Sequence, residues 1–223
     1  MLKPRDIYNQ ITSLTSALIE SGLCVEENFP SMIDYPYCRK EISISNKDHS
    51  IFFKGITYAE MYYAALKKRL YNIRMIDGAL LSLSYTFNND KLISHRLSYF
   101  PSPNLVAFQN EPKLYENDEL YADILNRQIV AVPIRFDYDI EAGCPLSHPI
   151  SHLTLGQYKN CRIPVSSALT PYQFISFVVL NFYHFSNLQL SFSKFKLSFA
   201  DTILPEEREY IHICTPVYQH KTN

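Results

Sequence analysis

A chain of 223 residues with 47% apolar content can bury a substantial core, as one large domain or two small ones. Its 21 basic and 22 acidic residues leave a net charge of −1, which argues against a dedicated duplex-binding protein with a strong basic stripe, though not against a local basic groove. No apolar stretch approaches the roughly 18 residues of a membrane span, and the N-terminus (Lys3, Arg5, Asp6) lacks a signal-peptide core, so a cytoplasmic protein without membrane contact is expected.

Residues 4–21 read as an amphipathic helix, with Ile7, Ile11, Leu14, Leu18 and Ile19 at helical spacing, Pro4 in the first turn and Gly22 at the exit. The stretch Leu23–Lys54 is choppy; Ile42 and Ile44, then Ile51-Phe52-Phe53, suggest two strands around Asn46–Ser50. Thr57-x-x-Glu60 is a capping-box signature opening a helix over about 58–70. Its basic end, Lys67-Lys68-Arg69, reads first as dipole-compatible surface, with a phosphate contact as the alternative.

Ala79–Phe100 is the clearest hairpin. Leu81, Leu83, Tyr85 and Phe87 share one face, and Ile93, His95, Leu97 and Tyr99 share another. A three-residue loop, Asn88-Asn89-Asp90, is expected because it brings these apolar faces together. His95 then lies among Leu83, Leu97 and Tyr99, as a core histidine or as one reaching a site on a neighbouring strand. Pro101 and Pro103 end the strand, 110–118 reads as a polar loop, and 119–126 as one or two helical turns.

The polar chemistry gathers in Arg135–Val165. Val130, Val132, Ile134, Phe136, Tyr138 and Ile140 alternate with Pro133, Arg135, Asp137, Asp139 and Glu141. After a loop around Gly143, Pro145 and Ser147, a second strand pattern sets His148, Ile150, His152 and Thr154 on one face and Ser151, Leu153 and Leu155 on the other. If the two segments pair as a hairpin, register decides the outcome. One register places Leu153 and Leu155 beside the Val–Phe face and brings Arg135, Asp137, Asp139, His148 and His152 together; the other buries both histidines beside Ile134 and Phe136. Burying two polar rings without partners is the costlier choice, so the first register is expected.

That cluster supports three readings. Histidine and carboxylate ligands suit a divalent metal such as zinc or manganese, able to activate water against a phosphate ester. Alternatively, a histidine held by Asp137 or Asp139 serves as general acid or base without a metal, with Arg135 or Arg162 on phosphate. The third reading is a hydrogen-bonded polar network that fixes the hairpin.

Downstream, Cys161–Pro164 reads as an extended crossing. Thr170-Pro171 opens a helix to about residue 184, apolar nearly all round and expected to be buried across the sheet. Alternation returns over 188–199, and a last strand is expected at 209–214. Cys24, Cys38, Cys144, Cys161 and Cys214 are odd in number and lack C-x-x-C spacing, so they read as reduced thiols. With no internal repeat or linker, 1–223 is read as a single α+β domain: a mostly antiparallel sheet packed by the helix over about 171–184 and by the amphipathic helices near 4–21 and 58–70.

Three resemblances attach to these residues. His152-Leu153-Thr154-Leu155 is similar to the H-x-T-x motif of two-histidine phosphoesterases, which grip phosphate with His and Thr contributed by two such motifs on two strands. RFDYD, HPISHL, CRIPV and TPYQFISF together resemble a bacterial family of uncharacterised proteins bearing a domain-of-unknown-function label. The resemblance implies a cytosolic bacterial protein from mobile or defence-related gene neighbourhoods, and carries no activity. R-x-D-x-D followed by H-P-x-x-H is similar to small toxins of toxin–antitoxin pairs that cut RNA. Two functions are therefore expected in competition. One is an accessory component of a bacterial multi-protein system, such as phage defence, acting through protein partners. The other is a phosphodiester hydrolase directed at RNA or nucleotides, with Asp137, Asp139, His148 and His152 catalytic and Arg135, Thr154 and Arg162 on substrate.

Overall fold

In a computed structural model, residues 2–44, 56–103, 132–156, 158, 160–183 and 195–218 are described. The elements run α1 (Pro4–Glu20), β1 (Cys24–Glu27), β2 (Ser31–Tyr35), β3 (Arg39–Ser43), α2 (Tyr58–Lys67), β4 (Ile73–Met75), β5 (Leu80–Asn88), β6 (Lys91–Phe100), β7 (Ile134–Asp139), β8 (Ser151–Leu155), β9 (Ile163–Pro164), α3 (Pro171–Phe182) and α4 (Pro205–Arg208). Among the described residues all nine strands belong to one sheet ordered β1-β4-β5-β6-β7-β8-β9, with β3 also on β5 and β2 on β3. Every named pairing is antiparallel, so the α+β expectation holds.

Alternation sorts the central strands into two faces. On the apolar face, Leu83, Leu97, Phe136 and Leu153 form one row across β5–β8, and Tyr85, His95, Tyr138 and Ser151 the next. Ile7, Ile11, Leu14 and Leu18 of α1 and Phe174, Ile175 and Val178 of α3 complete this core, all fully shielded from water. Phe136 meets Phe174 and Phe177 edge-on, which docks α3 on β7. Thr170 caps α3 reciprocally with Gln173, as the Thr-Pro start predicts. The helix is buried or half-buried over 171–179, and exposure begins only at its C-terminal end, where Leu180 is 61% exposed.

The opposite face is polar in its middle and covered at one end. There Met61, Tyr62 and Ala65 of α2 pack with Leu70, Leu80 and Phe100 as a second, smaller apolar cluster. Thr57 and Glu60 form the expected capping box. At the basic end of α2, Arg69 pairs with Glu26 and donates to Asn28, tying the helix exit to β1.

The β5–β6 loop differs from expectation. It has two residues, Asn89 and Asp90, both with positive φ, between paired Asn88 and Lys91. Apolar faces still meet because the register shifts by one residue between Thr86 and Phe87, leaving Ile93 as a bulge. The last expected strand is reduced to a single bridge, Val165–Ile213, and residues 195–199 are not a strand. The strand expected around Ile51–Phe53, the loop at 110–118, the helical turns at 119–126 and the alternation over 188–194 lie outside the described residues.

Candidate functional site

The β7–β8 register is the one that hydrophobic matching favours: Phe136 faces Leu153, Ile134 faces Leu155, and Asp137 faces His152. Across β6 the polar row continues, Ser84–Arg96–Asp137–His152, flanked by Ser82–Ser98–Arg135–Thr154. The centre of this face is the Asp137 carboxylate, whose side chain is 10% exposed. Arg96 Nε donates to Oδ1 at 2.9 Å and Arg135 Nε to Oδ2 at 2.5 Å. Burial alone would raise the Asp137 carboxyl, but the two guanidinium groups overcome it and hold its pKa below the ordinary value. Each arginine grips through Nε, so its Nη nitrogens lie outside the carboxylate's hold, on side chains 47% (Arg96) and 39% (Arg135) exposed.

His152 stands behind this clamp. Its Nδ1 lies 2.8 Å from the Pro149 carbonyl, an acceptor only, which makes Nδ1 the donor and leaves Nε2 with the lone pair in the neutral ring. Nε2 is 3.7 Å from Asp137 Oδ2. Burial lowers the His152 pKa, and His148 and Arg162 add to that, against the opposing pull of the Pro149 carbonyl and Asp137. His148 is not on the strand. It closes a tight turn through paired backbone hydrogen bonds with Cys144 and is half-buried. Its ring meets the His152 ring edge-on at 4.9 Å. Within that turn Leu146 holds φ at 63°, a left-handed conformation that disfavours a branched side chain, so the loop beside the imidazoles stores strain.

The other expected residues sort by geometry. Thr154 pairs with Arg135 and shares its face. Arg162 donates to the Ser147 carbonyl at 3.2 Å, holding the turn that presents His148. Asp139 has a local duty: its Oδ1 accepts from the Glu141 and Ala142 amides at 3.0 Å, capping the exit of β7. His95 is on the apolar face, with Nε2 accepting from the Leu169 amide, and so serves the core. Arg96 is the member that sequence reading missed. It lies on the strand face opposite Leu97 and Tyr99, and nothing local says that β6 lies beside β7.

Both oxygens of Asp137 are already taken by guanidinium donors. Among the described residues no group of three His, Cys, Asp or Glu side chains is placed to hold a metal ion.

No curated protein and no solved structure matches this chain. A family model described as an uncharacterized conserved protein (DUF2290) matches residues 23–215, and the chain belongs to that family. The matched span contains the whole polar face.

Proposed function

We propose that this DUF2290 member is a phosphodiester hydrolase whose reaction takes place on the polar face of β6–β8. The observation that carries the reading is the pair of half-exposed guanidinium groups anchored by one shielded carboxylate beside two imidazoles in ring contact. A carboxylate that fixes two forks by Nε presents their remaining donors to a tetrahedral anion with little reorganisation, which is how charge developing on phosphoryl oxygens is stabilised. His148, the more exposed ring, is the proton-transfer group. His152 positions it, and Asp137 is placed to stabilise an imidazolium at His152. The location is cytosolic in this reading; among the described residues no helix is long and apolar enough to cross a membrane.

The test is turnover of an activated phosphodiester and of oligonucleotides by wild type, His148→Ala and Arg96→Ala, each checked for folding by circular dichroism. Loss of about 100-fold or more in either variant, with the fold retained, is expected for a proton-transfer or anion-stabilising group. Absence of turnover by the wild type on every diester would remove the proposal.

A second reading, an accessory component acting through protein contacts (in phage defence, for example), draws on a different observation. Tyr210, Ile211 and Val217 lie exposed along the C-terminal segment, Ile211 by 91%. Co-purification of a defined partner that is lost with Ile211→Glu, while the Arg96 and His148 variants keep it, would favour this reading over catalysis.

A further inference from the structure

We infer that the substrate is RNA and that the nucleophile is its own 2′-hydroxyl. The inference rests on the hydrolase reading and makes it more specific. A site that attacks a diester with water must generate hydroxide close to phosphorus, commonly by coordination to a metal. Among the described residues no three His, Cys, Asp or Glu side chains are placed to hold a metal ion, and both oxygens of the Asp137 carboxylate accept guanidinium N–H bonds. What the face does offer is a half-buried imidazole at His148, the Arg96 and Arg135 forks, and the hydroxyl-bearing Thr154 paired with Arg135.

Those parts suffice when the substrate carries its nucleophile next to the phosphorus. Intramolecular attack is worth an effective concentration of about 10⁵–10⁸ M, so the protein need only accept a proton and stabilise the charged phosphorane. The step balances as follows. His148 takes the proton from the 2′-hydroxyl, and the 2′-oxygen forms a bond to phosphorus as the bond from phosphorus to the 5′-oxygen of the next nucleotide breaks. The leaving 5′-oxygen takes a proton from water, and the resulting hydroxide is neutralised by the imidazolium proton. The products are a 2′,3′-cyclic phosphate and a 5′-hydroxyl, with no change in oxidation state. The 2′-hydroxyl is the group that separates RNA from DNA, so the same chemistry sets the specificity.

The test uses the full chain with a chelator present and three oligonucleotides of one sequence: RNA, DNA, and RNA carrying a single 2′-O-methyl at the preferred cleavage position. Product ends are read by mass spectrometry. The expected result is cleavage of RNA to 2′,3′-cyclic phosphate ends, at least about 1000-fold slower at the methylated position, and no cleavage of DNA. His148→Gln should lower the rate at least 100-fold with the product ends unchanged in kind, and the unaltered melting curve of that variant separates the effect from misfolding. Equal cutting of DNA or of the methylated bond, or 3′-phosphates as first products, would overturn the 2′-hydroxyl step while leaving a hydrolase. No cleavage of any diester, RNA included, would overturn both.

Discussion

Replacing Asp137 by asparagine tests whether the polar face is an organised clamp. The side chain is nearly the same size, so packing is held constant while the charge goes. In the native protein one carboxylate accepts from Arg96 at 2.9 Å and Arg135 at 2.5 Å. An amide can accept from only one of them and turns its own N–H donors towards the other. A hydrogen bond to a charged group contributes about 1.5–3 kcal/mol, but both arginines are 39–47% exposed and water replaces part of what they lose. The expected loss is therefore about 2–3 kcal/mol, read as a lower midpoint in urea unfolding at pH 7. Asp139→Asn is the control: its Oδ1 caps a turn that an asparagine also caps, so a change within about 0.5 kcal/mol is expected. The acid limb gives a second readout. A carboxyl held below its ordinary value of 3.8 contributes stability that is present above that pH and lost as pH falls through the folded value, and Asp137→Asn should lack that share. Equal, small effects of the two substitutions would refute the clamp and with it the anion site.

His95 supplies a separate pH prediction. Burial pulls its pKa from 6.5 to about 4, against the opposing field of Asp137, while the neighbouring Tyr85 and Tyr138 rings offer it no charge. The unfolded chain takes up a proton first, so stability falls as pH drops from about 6.5 towards 4, by up to about 3 kcal/mol from this residue. In His95→Gln, which retains an acceptor for the Leu169 amide, urea midpoints between pH 7 and 4 should decline less steeply; an unchanged slope would show that other groups carry it. Gly143→Ala probes the loop that presents His148. A Cβ there would stand 2.5 Å from Ile150 Cγ1, so a cost of about 1–3 kcal/mol is expected, together with reduced diester turnover, and a variant as stable as wild type would refute the close approach.

The fold was legible where local chemistry and periodicity agree. Thr57 with Glu60 and Thr170 with Pro171 read as helix starts, and both threonines are reciprocal caps, Thr170 with Gln173. Ile7, Ile11, Leu14 and Leu18 announced a stripe that had to be covered. The β5–β6 loop was misjudged in length because pattern matching fixes parity and not turn type. A two-residue turn with a bulge at Ile93 and a three-residue loop both bring apolar faces together. The final strand was misjudged because Glu209–Cys214 can alternate without a partner strand to pair with, and only Ile213 finds one.

The candidate site divides along the same line. Alternation alone put Arg135 and Asp137 on one face and His152 and Thr154 on one face, and the need to keep Leu153 beside Phe136 set those two faces together. Arg96 belongs to a strand separated from β7 by more than thirty residues, so its place beside Asp137 had no local signature. Asp139 looked equivalent to Asp137 by parity, yet it stands where β7 ends, and free backbone amides claimed it. The sequence by itself determined which side chains share a face, because strand geometry has a fixed period of two. Only the tertiary structure decided which strands are neighbours, and therefore which charges meet, because sheet pairing is set by burying the whole core and not by any one segment.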